Sequence, residues 1–135
     1  MDEIPAGLSA FLVAVQARDA IDAAAQLAEY VILESPIDVE PFVGREQVTK
    51  VMSQVLKVFD EFTITQIISG DGHFAVVSNI KIGTTEMDAI ELIGINAGGK
   101  VASLAIHLRP MRVIVALHDR LAANGIPFLT PTEEC

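Results

Sequence analysis

Cysteine is nearly absent and tryptophan wholly so: the 135 residues include one Cys, at position 135, and no Trp. A lone cysteine closes no intrachain disulfide and builds no cysteine-based metal site, which suits a reducing compartment. Basic residues are scarce too. Nine Lys and Arg stand against eighteen Asp and Glu, a net charge of −9. That field repels phosphate backbones, so no nucleic-acid partner is expected. No apolar run approaches the roughly 18 residues of a membrane span. The acidic Met-Asp-Glu opening lacks the positive flank that a signal peptide needs before residues 11–15. The expectation is a cytoplasmic protein with no membrane partner.

What the chain has in surplus is apolar surface. Hydrophobic residues make up 51% and charged ones only 20%, with mean hydropathy +0.46. Such a chain is not disordered. Its excess apolar surface must enter a core, an oligomer interface or a pocket. At this length one domain over 1–135 is expected, with its core at about 5–125 and a loose C-terminal tail.

Leu8, Phe11, Leu12 and Val15 fall at i, i+3, i+4 and i+7, one face of a helix, with Pro5 suited to its first turn. Asp19 reads as the cap of a second helix through the alanine-rich residues 20–28. The β-branched run 30–35 predicts a strand ended by Pro36, followed by a loop over 36–44. Val48, Val51, Met52, Val55, Leu56 and Phe59 then repeat at helical spacing, a third helix from about Arg45. Beyond Phe59 the period drops to two. Strands are predicted over 62–69, 73–82, 86–96 and 100–109, divided by glycine turns. Pro110 opens a last helix through Val113, Leu117 and Leu121, stopped at Asn124-Gly125. Segregated helices and a strand meander mean α+β, a curved, mostly antiparallel sheet packed on helices.

Specific residues sharpen this order. Ala17-Arg18-Asp19 joins the first helices, Glu34-Ser35-Pro36 ends the first strand, and Phe42-Val43-Gly44-Arg45-Glu46 opens the third helix. Gly99-Lys100-Val101 lies between the last strands and Leu108-Arg109-Pro110 at their end. With these motifs the chain resembles the SnoaL-like branch of the nuclear-transport-factor-2-like superfamily, which holds ketosteroid isomerases, limonene epoxide hydrolases and polyketide cyclases. The resemblance spans about residues 8–121. It implies a cystatin-like cone, its sheet wrapped around the N-terminal helices and an apolar pocket at the open end.

The resemblance also says which chemistry is missing. Ketosteroid isomerases have an aspartate base where this chain has Ser35, and an oxyanion-donating tyrosine where it has Phe11. Their second oxyanion donor, a carboxylic acid, corresponds to Glu91, which is present. Limonene epoxide hydrolases need a carboxylate on the last strand, and residues 101–108 include no acid. If Glu91 points inward as the pattern implies, alternation along the strand turns Met87, Ala89, Ile93 and Ile95 inward too. In that register Phe74, Val76, Ser78 and Ile80 are expected to face in from the second strand of the meander, and the resemblance implies the same for Leu104, Ile106 and Leu108 on the last.

The candidate catalytic residues are therefore Glu91 and Ser35, a lone carboxyl among aliphatics and a hydroxyl able to donate to a ligand. The expected pocket wall comprises Phe11, Phe74, Val76, Ser78, Met87, Ile93, Leu104, Ile106 and Leu108. Arg109 reads as a capping or ion-pairing residue, and Asn79 and His107 as outward. His73 falls in a turn and His118 on the last helix beside Asp119; their spacing suits no metal. Gly70-Asp71-Gly72 and Gly98-Gly99 read as hairpin turns, and neither precedes a helix as a phosphate loop would, so neither cofactor nor metal is expected. The ligand implied is a small apolar molecule, met by an isomerase, a cyclase or a hydratase. The alternative is a non-catalytic carrier or dimeric interaction module. Val77, Ile90 and Leu92 beside Ala75 and Ala105 on the outer sheet face predict a homodimer.

Overall fold

Helix α1 (Ala6–Gln16) buries Leu8, Phe11, Leu12 and Val15, the face its spacing predicts. It appears in a computed structural model that describes residues 4–123. The stop expected at Asn124-Gly125 and the loose tail lie outside the described residues. The Ala17-Arg18-Asp19 motif is a junction between helices. Arg18 takes a positive φ of 58°, and Asp19 caps α2 (Ala20–Ala24) by accepting from the Asp22 amide. Arg18 Nη1 also donates to the Phe59 carbonyl at 2.6 Å, tying this corner to the far end of the third helix.

Helix α2 is shorter than its alanine run suggests. Alanine favours a helix only while something else does not claim the backbone, and here the chain leaves at Ala25 to start β1 (Leu27–Glu34), earlier than predicted. The 36–44 loop holds a short strand, β2 (Phe42–Val43), antiparallel to β1. Gly44, at φ 98°, then turns the chain into α3 (Arg45–Val58). Two side chains fix that entry: Gln47 Oε1 accepts from the Val43 amide at 2.8 Å, and Arg45 Nε donates to the Leu27 carbonyl at 3.2 Å.

The meander comprises β3 (Glu61–Gly70), β4 (His73–Ile82), β5 (Thr85–Ile95) and β6 (Val101–Arg109), followed by α4 (Met111–Ala123). The strands form one mixed sheet in the order β2-β1-β6-β5-β4-β3. All pairs are antiparallel except β1 with β6, which run parallel across the long crossover. This is the curved α+β architecture expected. One face packs on the helices and holds a core that includes Leu8, Leu27, Val48, Val76, Ile80 and Ile93. No helix among the described residues is long and apolar enough to cross a membrane.

Gly7 shows how tightly α1 seats on this frame. A Cβ built there would collide with the backbone carbonyl oxygen of Gly99, in the β5–β6 turn. Helix propensity alone favours alanine over glycine by about 1 kcal/mol. We expect the opposite sign: Gly7→Ala should lower stability by about 1–3 kcal/mol, as overpacking does. A thermal melt at or above the wild-type midpoint would show that the helix shifts at no cost.

Candidate functional site

Between the sheet's inner face and helices α1, α3 and α4 lies a cavity of about 120 Å³. Strand β6 supplies Leu104, Ile106 and Leu108 as its floor, and α1 supplies Phe11. Ser35 borders it from the end of β1. Glu91, at the middle of β5, points into it between the Val76 and Ile106 positions of the neighbouring strands. The structure thus brings together six of the residues singled out in the sequence.

The other five do not reach the cavity. Phe74, Val76, Ser78, Met87 and Ile93 face the same way but are buried in the core. The reason is geometric: the alternation of a strand decides the face, while the curvature decides which part of that face stays uncovered. Ser78 is the odd member. It is 2% exposed and its hydroxyl has no hydrogen-bond partner among the described residues.

Much of the remaining wall comes from elements whose apolar stripes read as core. Val51, Met52, Val55 and Leu56 of α3 line the cavity, with Phe59 just beyond and Phe62 on β3. The two phenylalanine rings lie 6.4 Å apart, tilted by 40°. Helix α4 adds Leu117, His118 and Leu121. His118 was the functional candidate the sequence reasoning missed. Its signal was there: it flanks the Val113-Leu117-Leu121 stripe and sits four residues after Ile114, at the edge of the buried face.

Among the described residues, Ser35, Glu91 and His118 are the polar members of an otherwise apolar lining. The Ser35 oxygen accepts from the amides of Ile37 and Asp38 at 3.2 and 3.4 Å, so the hydroxyl shapes the turn and keeps its proton free to donate. Glu91 forms no hydrogen bond or ion pair among the described residues. It retains some accessible surface; with buried neighbours on its own face and the cavity in front, that surface opens into the cavity. Loss of water pushes its carboxyl up to about 7. It is therefore poised between a neutral hydrogen-bond donor and a base.

The remaining candidates lie elsewhere. Arg109 pairs with Asp88 at 3.2 Å on the outer face, an exposed ion pair. Asn79 Nδ2 faces Glu86 and Asp88 there. His73 Nδ1 lies 3.1 Å from the Asp71 carbonyl in the exposed β3–β4 turn.

No protein-family model matches the sequence, and no curated protein matches it. Solved structures do. An uncharacterised protein with a cystatin-like fold from Silicibacter pomeroyi is similar at 26% identity, over 90% of this chain and 86% of that one, with TM-score 0.85. A steroid delta-isomerase from Pseudomonas aeruginosa is similar at 21% identity, over 97% and 100%, with TM-score 0.83. A SnoaL-like protein of unknown function from Burkholderia thailandensis aligns at 16% identity over 76% and 92%, with TM-score 0.67.

The position of Glu91 has a consequence for stability. With its carboxyl raised to about 7 in the folded protein, the unfolded chain loses that proton first as pH climbs past about 4.3. Stability then falls until the folded-state value is passed, by an amount on the order of 3 kcal/mol. Glu91→Gln should match wild type at pH 4 and exceed it in thermal midpoint at pH 8. Parallel curves across that range would mean that the carboxyl is solvated or paired.

Proposed function

The chain has the nuclear-transport-factor-2-like fold shared by SnoaL-like proteins and ketosteroid isomerases, and from that premise we propose that it binds a small, largely apolar molecule in the cavity before Glu91. The observation that carries this reading is the isolated carboxyl itself. An unpaired acid among aliphatic side chains weakens the fold, and a site is where such a group has a use. Glu91 donates a hydrogen bond to a ligand oxygen or exchanges a proton with it, in an isomerisation, a cyclisation or a hydration. Phe11 and Leu104 on either side select apolar rings and chains over sugars and nucleotides.

Thermal denaturation against a ligand panel tests this. Uncharged apolar ring compounds with one carbonyl should stabilise the protein, by about 2.7 kcal/mol at a hundredfold excess over Kd. Glu91→Gln should weaken those bearing the carbonyl about tenfold and leave hydrocarbons unchanged. Stabilisation by phosphorylated or highly polar compounds alone would reject the pocket reading. Binding without turnover of any ligand would favour the carrier alternative.

The outer face supports a second part of the proposal, a two-fold homodimer. Ile68, Ile90 and Leu92 are 52%, 44% and 41% exposed, and Ala75, Leu92 and Ala105 form one row across β4, β5 and β6. A sheet face this apolar suits a self-complementary contact. The double substitution Ile90→Lys with Leu92→Lys should convert a dimer in sedimentation to a folded monomer. A wild-type protein that sediments as a monomer at micromolar concentration would reject it.

A further inference from the structure

The cavity before Glu91 has a size and a charge pattern that narrow its ligand. Its volume is about 120 Å³, and an apolar cavity of roughly 150 Å³ in an engineered protein holds benzene. One six-membered ring with a short substituent matches that scale; a fused polycycle exceeds it. Among the described residues the lining includes Phe11, Phe59 and Phe62 and no lysine or arginine. Glu91 has Val76 and Ile106 beside it on the neighbouring strands, and buried Ala89 and Ile93 on its own. The helices that close the cavity bring one further titratable group, His118 of α4, whose Nδ1 lies 3.2 Å from Asp119 Oδ1. The carboxyl thus stands in an apolar space with no lysine or arginine to pair with.

Two kinds of polar ligand can meet such a group. A neutral ligand oxygen needs the protonated acid as its donor. An ammonium needs the carboxylate, and both forms are present near the value of about 7 at which this carboxyl titrates. The ammonium is the better complement. Folding has already taken water from the carboxyl, so one half of the desolvation is complete before the ligand arrives. A hydrogen bond from a cationic N–H to a carboxylate is also about twice as strong as one between neutral groups. Phenylalanine ring faces attract ammonium groups. The net charge of −9 draws cations toward the molecule and turns anions away.

We propose that this cavity is a site for a one-ring lipophilic amine, bound as its ammonium ion with its N–H groups donating to the Glu91 carboxylate. It rests on the cavity being a ligand site, as proposed above, and adds the ligand's size and charge. Below about pH 7 the free protein holds a proton on Glu91. The ammonium arrives with its own proton, so the carboxyl proton passes to buffer as the ion pair forms. Affinity therefore rises with pH until the carboxyl is ionised, and falls again only where the amine loses its proton. A carbonyl ligand has the opposite sign, because it needs the acid that higher pH removes.

Isothermal titration of the whole chain with benzylamine, its uncharged isostere benzyl alcohol, and toluene tests this. At pH 8 benzylamine should bind wild type about tenfold tighter than benzyl alcohol. Its affinity should fall about 30-fold between pH 8 and pH 5.5, while that of benzyl alcohol does not fall. At pH 6, titrations in buffers of different ionisation enthalpy should show about one proton released per benzylamine bound. Glu91→Gln should lose about 30-fold of the benzylamine affinity at pH 8, keep toluene binding and release no proton. Should that variant fail to fold, the wild-type pH series and proton count decide. Benzylamine binding no tighter than benzyl alcohol at pH 8, or without proton release at pH 6, overturns the amine site; binding of benzyl alcohol or toluene then leaves the apolar-ligand reading intact. Unchanged benzylamine affinity in Glu91→Gln overturns it as well, as attraction to the acidic surface. Binding of none of the three overturns both.

Discussion

The ladder of β4, β5 and β6 sets the terms for everything else. Ten paired positions join β4 to β5, from His73–Gly94 to Ile82–Thr85, with no slip between them. A one-residue shift would exchange the two faces of β5. Glu91 would go to solvent, while Ile90 and Leu92 would crowd against the helices. The buried residues Met87, Ala89 and Ile93 hold the register, because each is almost fully removed from water in the arrangement seen. The placement of a carboxyl in an apolar cavity is thus not a local accident. It is enforced by the apolar residues on either side of it, whose burial together outweighs the cost of one desolvated acid.

A cavity exists because the curved sheet is covered unevenly. Where α1 and the sheet meet directly, the fit is close enough that Gly7 has no room for a methyl group. Toward the other end α3 and α4 join Phe11 and Val15 of α1, and their side chains stand around a void rather than filling it. Phe59 and Phe62 prop this region, and the Arg18 bond to the Phe59 carbonyl holds the prop against the α1–α2 corner. The same apolar composition thus gives a dense core at one end and a cavity at the other.

The elements and faces were legible in the sequence because each rests on local chemistry. The family resemblance placed Glu91, Leu104, Ile106 and Leu108 on one face, period two extended that face along each strand, and Asp19 announced its helix by its capping side chain. The motifs that carried the family resemblance turn out to be junctions: Arg18 in a left-handed corner, Ser35 under a turn, Gly44 before α3, and Gly99 in a hairpin. They specify a fold and leave its chemistry open. What stayed hidden depends on curvature and on the docking of α4. Phe74 and Ile93 share a face with Glu91 yet lie in core, and no periodicity separates the two fates. His118 escaped notice for the converse reason. A histidine beside an aspartate on an amphipathic helix reads as surface until the helix is seen to close a cavity.

Strand β5 joins the two surfaces of the molecule. Its odd-numbered residues from 87 to 93 face the interior, with Glu91 among them, and its even-numbered neighbours Ile90 and Leu92 form the apolar outer patch. A partner on Ile90 and Leu92 would also clamp the backbone on both sides of Glu91. Fixing that backbone restricts the carboxyl's reach into the cavity, and a hydrogen bond to a ligand oxygen needs that restriction to be directional. The cavity wall on α4 is held differently, among the described residues by buried Val113, Leu117 and Leu121 with Ala122 packed beside them. Of the three polar residues that line the cavity among the described residues, Glu91 sits at the middle of the sheet, Ser35 at the end of β1 and His118 on α4.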